Sequence, residues 1–195
     1  MSNVEDFIRS FGMSGMMLTD DIRNLEQAMG LELGHTPSTS SPAHIDFYPQ
    51  FEQSVRAEAT RMAEHYEVFY CLEKSIRKLI TESCQDLDGD NWWASPRIPP
   101  KIVADCTERA KREMDNAITL RSEAPIDYTT FGELSVIITS NWDVFTTTFK
   151  SPVAVQKVMA SLNLLRGPIA HCCLLSDDEA VRLQIAVRDW FRMIG

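Results

Sequence analysis

The chain has 195 residues, 44% hydrophobic and 24% charged, with a formal net charge of −9 and a pI near 4.9. That suits one globular domain of about 150 residues plus an extension, and excludes a wholly disordered chain. No run approaches the roughly 18 apolar residues of a membrane span, and the acidity argues against a generic nucleic-acid coat protein.

The opening MSNVEDFIRSFGMSGMML carries Glu5 and Asp6 where a secretory leader is basic, and Gly12 and Gly15 break its apolar stretch. It does not read as a leader. Val4, Phe7, Ile8 and Phe11 recur at helix spacing, and Thr19-Asp20-Asp21 can cap a second helix through Met29. The segment LELGHTPSTSSPAHIDFYPQ, with its prolines, serines and threonines, reads as a linker or extended arm. Residues 1–50 hold seven acids against Arg9 and Arg23, a net of −5, so the remaining residues carry only −4.

From residue 50 the pattern is helical almost throughout. Val55, Ala59, Met62, Tyr66, Phe69, Ile76, Leu79 and Ile80 make an apolar stripe, predicting a helix of about thirty residues ending near Cys84. QDLDGDNWWASPRIPP reads as a loop, whose Pro99 and Pro100 suit the first turn of a charged helix through KIVADCTERAKREMDNA. A capping box, Thr130-x-x-Glu133, opens a helix through Trp142 and Phe145, and Ser151-Pro152 opens the next. A second box, Ser176-x-x-Glu179, starts a last helix carrying Val181, Ile185, Trp190 and Phe191. The expected fold is all-α: a bundle of about five helices over 51–195, with residues 1–50 as a helical arm and linker.

The segment SPVAVQKVMASLNLLRGPIAHCCLLS holds the candidate chemistry. At about 100° per residue, with Asn163 as zero, Arg166 lies near −60° and His171 near +80°. The three polar groups cover one broad arc, with Val158, Leu165 and Ile169 opposite, toward the core. Pro168 removes an amide donor, and a kink there re-aims His171 relative to Arg166. Arg and His suit phosphodiester cleavage. Arg offers a planar, permanently charged fork for a phosphate. His titrates near neutrality and can move a proton to or from a hydroxyl. In RNA the 2′-OH can serve as nucleophile, so no metal is required. The same two residues also fit a surface salt bridge and a histidine packed at a helix end.

Arg166-Gly167-Pro168-Ile169-Ala170-His171 is an Arg-x4-His element late in an all-α domain, followed by one capped amphipathic helix. Together with YEVFYCLEKSIRKLI, GDNWW and FGELSVIITSNWDVF before it, this order resembles the HEPN (higher eukaryotes and prokaryotes nucleotide-binding) family. The similarity is to the subgroup found in a yeast transcript-surveillance endonuclease, and it covers about residues 55–195. It implies a helical bundle that dimerises with the Arg/His helices facing across a composite cleft. It further implies a metal-independent endoribonuclease, often a toxin or anti-phage effector, in which Arg166 and His171 perform catalysis on RNA. The polar residue that usually follows the Arg is here Gly167, and Asn163, one turn earlier, can supply the missing hydrogen bond. Other HEPN domains are non-catalytic modules that bind a protein or nucleotide, and Gly167 and the acidity favour that alternative.

A second candidate for RNA is the basic stretch of Arg97, Lys101, Arg109, Lys111 and Arg112, with Trp92 and Trp93 before it to stack on splayed bases. With Asp105 and Glu108 in the same stretch, a solvated helix face beside two half-buried tryptophans is the preferred explanation. Arg56, Arg61, Lys74, Arg77 and Lys78 on the long helix are offset by Glu58, Glu64, Glu67 and Glu73, as in ordinary helix-surface pairing. The five cysteines (71, 84, 106, 172 and 173) are an odd set without CxxC spacing, which argues against a disulfide framework or zinc and for a reducing cytoplasm. Cys172 and Cys173, pointing about 100° apart on a helix, make poor joint ligands and read as core thiols. Glu133 reads as a capping residue rather than a general base; His35 and His44 fall in the flexible arm, and His65 in the long helix lacks an evident partner. No Walker A, GxGxxG, GxSxG or HExxH pattern occurs. No cofactor or metal is implied. The Met13, Met16 and Met17 cluster with Phe7, Ile8 and Phe11 is apolar enough to pack on the bundle, swap across a dimer or dock on a protein partner.

Overall fold

Phe69, Leu72, Ile76, Ile80 and Cys84 recur at three- and four-residue steps and are all buried, so one face of a long helix forms the spine of the fold. A computed structural model describes residues 50–194 together with Leu18, Asp21, Ile22, Leu25 and Met29, which are helical. The other expectations for 1–49, including the Met cluster, the linker, His35 and His44, lie outside the described residues. The chain divides into two units, Met1–Glu52 and Gln53–Gly195, and the second holds the helical bundle.

Six α-helices build this unit: α1 (Gln53–Asp88), α2 (Pro100–Asp115), α3 (Phe131–Ser140), α4 (Trp142–Phe145), α5 (Pro152–Ala170) and α6 (Asp177–Met193). Two 3-10 turns, Gly89–Ala94 and Pro125–Tyr128, lie between them. No strand occurs among the described residues; a single antiparallel bridge joins Phe149 to Ile194. The fold is all-α, as expected. α1 runs to Asp88 rather than Cys84, because the apolar stripe ends one turn before the backbone does. Gly89, at φ +71°, stops it in a conformation that side chains resist. The helix expected through Trp142 and Phe145 divides at Asn141. Its buried amide donates to Ile137 O at 2.8 Å and Arg97 O at 3.1 Å, and its backbone leaves the helical region at φ −115°, ψ 43°.

α3 is the centre of the core. Its Phe131, Leu134, Ile137 and Ile138 are buried against α1 and α5, and Phe131 packs on Phe69 with ring centroids 5.3 Å apart. Both capping boxes form, Thr130 with Glu133 and Ser176 with Glu179, and Ser151 caps α5 through Ala154 N–H. α6 lies on α5 through Leu183, Ala186 and Trp190, and Trp190 packs on Phe149 at 5.2 Å. Of the apolar positions expected to bury α6, only Trp190 does: Val181, Ile185 and Phe191 are exposed. The helix has two apolar rows, and the core takes the one through Leu183. The same holds at the start of α1, where Val55 and Tyr66 are exposed and burial begins at Phe69.

Candidate functional site

One face of α1 and the C-terminal end of α5 enclose a pocket of about 210 Å³, floored by Tyr66, Phe69 and Tyr70 and edged by Glu73, Lys74 and Arg166. Helical spacing explains the floor and edge. Tyr66, Tyr70, Glu73 and Arg77 follow one another at steps of four, three and four residues, so one stripe runs from aromatic to charged. At about 100° per residue, Glu73 lies roughly 40° and Arg77 roughly 80° from Phe69, on the border of the buried face.

Glu73 is the bridge. One of its oxygens accepts from Arg77 Nη2 at 2.5 Å and the other from Arg166 Nε at 3.2 Å. Arg77 is in turn fixed from the far side: it donates to Ile126 O at 3.2 Å and Thr129 O at 2.9 Å, and its Nε stands 3.8 Å from Asp127. The 3-10 turn Pro125–Tyr128 therefore anchors Arg77, Arg77 orients Glu73, and Glu73 orients Arg166. The first two side chains are only 13% exposed, against 39% for Arg166, so the solvent-facing cation stands on a shielded support. Among the described residues Arg166 is held by Nε alone. Neither Nη group makes a hydrogen bond among the described residues, which leaves that edge of the guanidinium fork unengaged, the edge that can grip a phosphate or carboxylate.

His171 caps α5, with its backbone N–H on Gly167 O at 3.0 Å. Cys172 follows at φ +55° and Cys173 N–H returns to Pro168 O at 2.9 Å, closing a Schellman turn with a cysteine at the position glycine prefers. α5 continues through Pro168 to Ala170. The turn leaves His171 exposed, and its imidazole makes no hydrogen bond among the described residues. Cys172 and Cys173, expected as core thiols, are both exposed, because the helix has ended before them. The core thiols are Cys84 and Cys106, each pushed up to about 11, first by burial.

Asn163 is exposed, its amide nitrogen beside Gly132, and among the described residues it makes no hydrogen bond to Arg166 or His171. A Cβ built on Gly167 meets nothing within 4 Å. Gly167→Ala is therefore expected to stabilise the domain by about 0.5–1 kcal/mol, since a helical glycine gives up more backbone entropy than alanine; denaturant unfolding measures it.

Four of the five cations of the basic stretch around α2, Arg97, Lys101, Arg109 and Arg112, are engaged locally. Arg97 binds Asp143 at 2.7 Å and Asp88 at 3.4 Å, and Lys101 binds Asp105 at 2.7 Å. Arg109 grips both oxygens of Glu133, at 2.7 and 2.9 Å. Trp92 is buried at 6% exposure and meets Trp93 edge-on at 5.3 Å, so its ring is packed into the core. Glu73 and Arg77 are the residues that sequence reasoning missed. An i,i+4 pair looks like a solvated helix pair, and only their place at the border of the apolar stripe marks them out.

Residues 67–195 match the family described as Swt1-like HEPN. The chain belongs to the Swt1-like HEPN family. The match takes in α2 to α6 and most of α1, with Glu73, Arg166 and His171. It supports an RNase-type or nucleotide-binding helical module, a class associated with RNA interaction and dimerisation. No curated protein and no solved structure matches the chain. Among the described residues no helix is long and apolar enough to cross a membrane.

Proposed function

We propose that this chain is a metal-independent endoribonuclease of HEPN type, acting as a homodimer. The observation that carries the reading is the Arg166 guanidinium, held through Nε by Glu73 at 3.2 Å, 39% exposed, and lining a pocket with neither Nη group hydrogen-bonded among the described residues. A preset cation of this kind binds a phosphodiester and stabilises the negative charge that grows on its oxygens during displacement. His171, exposed at the end of the same helix, supplies the proton-transferring group. Its imidazole takes the 2′-OH proton as that oxygen attacks phosphorus, and the P–O5′ bond breaks. In a homodimer the partner's copy of His171 protonates the leaving oxygen. Exposed Val153 and Leu164 on α5 support the dimer, since they offer apolar surface on the helix that carries both residues. The family's use of such nucleases makes a toxin or anti-phage effector the role we assign.

The mechanism fixes the products. Cleavage is expected to leave a 2′,3′-cyclic phosphate on one fragment and a 5′-hydroxyl on the other, read by mass spectrometry. A 5′-phosphate would place water, not the 2′-OH, as nucleophile and would overturn the scheme. Binding of RNA through Arg166 with no cleavage would favour the non-catalytic module, the reading to which Gly167 points.

A further inference from the structure

Tyr66 and Tyr70 form the aromatic floor of the Arg166 pocket and are 59% and 55% exposed. Two half-exposed tyrosines one helical turn apart offer contiguous ring surface beside the Arg166 side chain. Their ring centroids are 6.1 Å apart and their planes inclined at 36°, so they do not stack face to face on each other. Tyr70 stands about 4.5 Å along the helix axis from Glu73, the residue that fixes Arg166. Beside it Lys74, half-exposed, adds a second cation at the edge, 3.5 Å from Asp127. The Glu73 carboxylate adds no free negative charge, because both oxygens are occupied by guanidinium groups.

We infer that Tyr66 and Tyr70 are a stacking platform for one unpaired nucleobase, which seats the nucleotide joined to the phosphate on Arg166. The inference rests on the proposal that Arg166 is the phosphate anchor. Charge complementarity selects this occupant over an apolar peptide. A ligand that meets aromatic surface and the unengaged Nη edge of a guanidinium in one small pocket has a π-face covalently tied to an anion. The pocket, about 210 Å³, has room for one base, and only an unpaired base can turn its face onto the tyrosines. Stacking tolerates any base, so the platform selects single-stranded RNA over paired RNA without reading sequence.

The test uses the full chain with His171→Ala, to hold RNA uncleaved, and a single-stranded RNA carrying 2-aminopurine, a base whose fluorescence falls on stacking. Tyr66→Ala with Tyr70→Ala is expected to abolish the quench and weaken binding about tenfold or more. Tyr66→Phe with Tyr70→Phe retains both. An RNA with one abasic nucleotide is expected to bind the parent protein as weakly as the intact RNA binds the double-alanine variant. Equal binding by the alanine variant and its parent would overturn the inference. So would a loss of binding equally large on abasic RNA, which would show a disturbed fold. A change from dimer to monomer on double-alanine substitution, with binding restored at dimer-forming concentrations, would assign the tyrosines to a second copy of the chain and overturn it as well. Tyrosine-dependent binding, with no cleavage by the protein that keeps His171, would uphold the platform while removing the nuclease reading. Cleavage at the wild-type rate when Tyr66→Ala and Tyr70→Ala are made with His171 kept would do the reverse.

Discussion

Arg166→Lys is expected to lower RNA cleavage about 100-fold or more while changing stability by less than about 1 kcal/mol. The two effects separate because the guanidinium has two jobs on two edges. Its Nε meets Glu73 at 3.2 Å, and in the proposed mechanism its Nη groups hold the substrate phosphate. A lysine ammonium is one compact point charge. It can reach the Glu73 carboxylate or the phosphate, but it cannot present a planar fork to one while bonded to the other. The side chain is 39% exposed, so its pairing with Glu73 adds little to folding. Single-turnover rates on a fixed oligonucleotide, beside thermal unfolding, check both halves. Equal loss of rate and of fold would show Arg166 to be a structural tie.

Glu133→Ala has the largest expected effect on stability, about 2–3 kcal/mol, or a fall of roughly 5–12 °C in Tm. Glu133 closes the capping box with Thr130 N–H at 2.6 Å and receives both Nη groups of Arg109, joining α2 to the start of α3. Truncation removes the carboxylate half of the box, leaving the Thr130 hydroxyl on the backbone N–H of residue 133, and leaves Arg109 with Tyr128 O at 2.8 Å as its remaining close acceptor. The effect carries a pH signature. Burial pushes the Glu133 carboxyl up, but the bonds from Arg109 and Thr130 outweigh it and hold it below the usual carboxylate range. A carboxyl whose folded value lies below its unfolded value stabilises above the unfolded value, near 4.3, and that contribution fades as pH falls through the folded value. The gap between wild type and variant is therefore expected in full at pH 7 and to narrow below about pH 4. Urea melts across that range measure it. A gap independent of pH would mean that packing, not the carboxylate, holds the corner.

Most of the fold is legible in the sequence because its signals are local. Thr130 with Glu133, Ser176 with Glu179 and Ser151 before Pro152 are start signals whose partners lie three residues away, and each forms as expected. Sequence and structure part where a tertiary contact decides. Asn141 ends α3 because its amide reaches Arg97 O, 44 residues back. On α6 the row through Val181 and Ile185 competes with the row through Leu183, and only the packing of Leu183 and Trp190 settles which one the core takes. The site divides in the same way. Arg166 and His171 stand out as an element in one helix, whereas the link from Arg166 to Glu73 spans 93 residues and no periodicity announces it. Cys172 and Cys173 differ from expectation for a related reason: a helix that ends at Ala170 exposes residues that a continued helix would bury.

The central claim is that Arg166 and His171 cleave RNA without a metal, and cleavage of single-stranded RNA in excess EDTA tests it most directly. His171→Ala is the decisive variant, because its imidazole is exposed and bonded to nothing among the described residues, so its loss leaves the packing intact. The wild type is expected to cleave in EDTA at its full rate, and the variant about 10²–10⁴-fold more slowly, the span of a lost general acid–base group. Cleavage that vanishes with EDTA, or that survives His171→Ala at the wild-type rate, would contradict the claim.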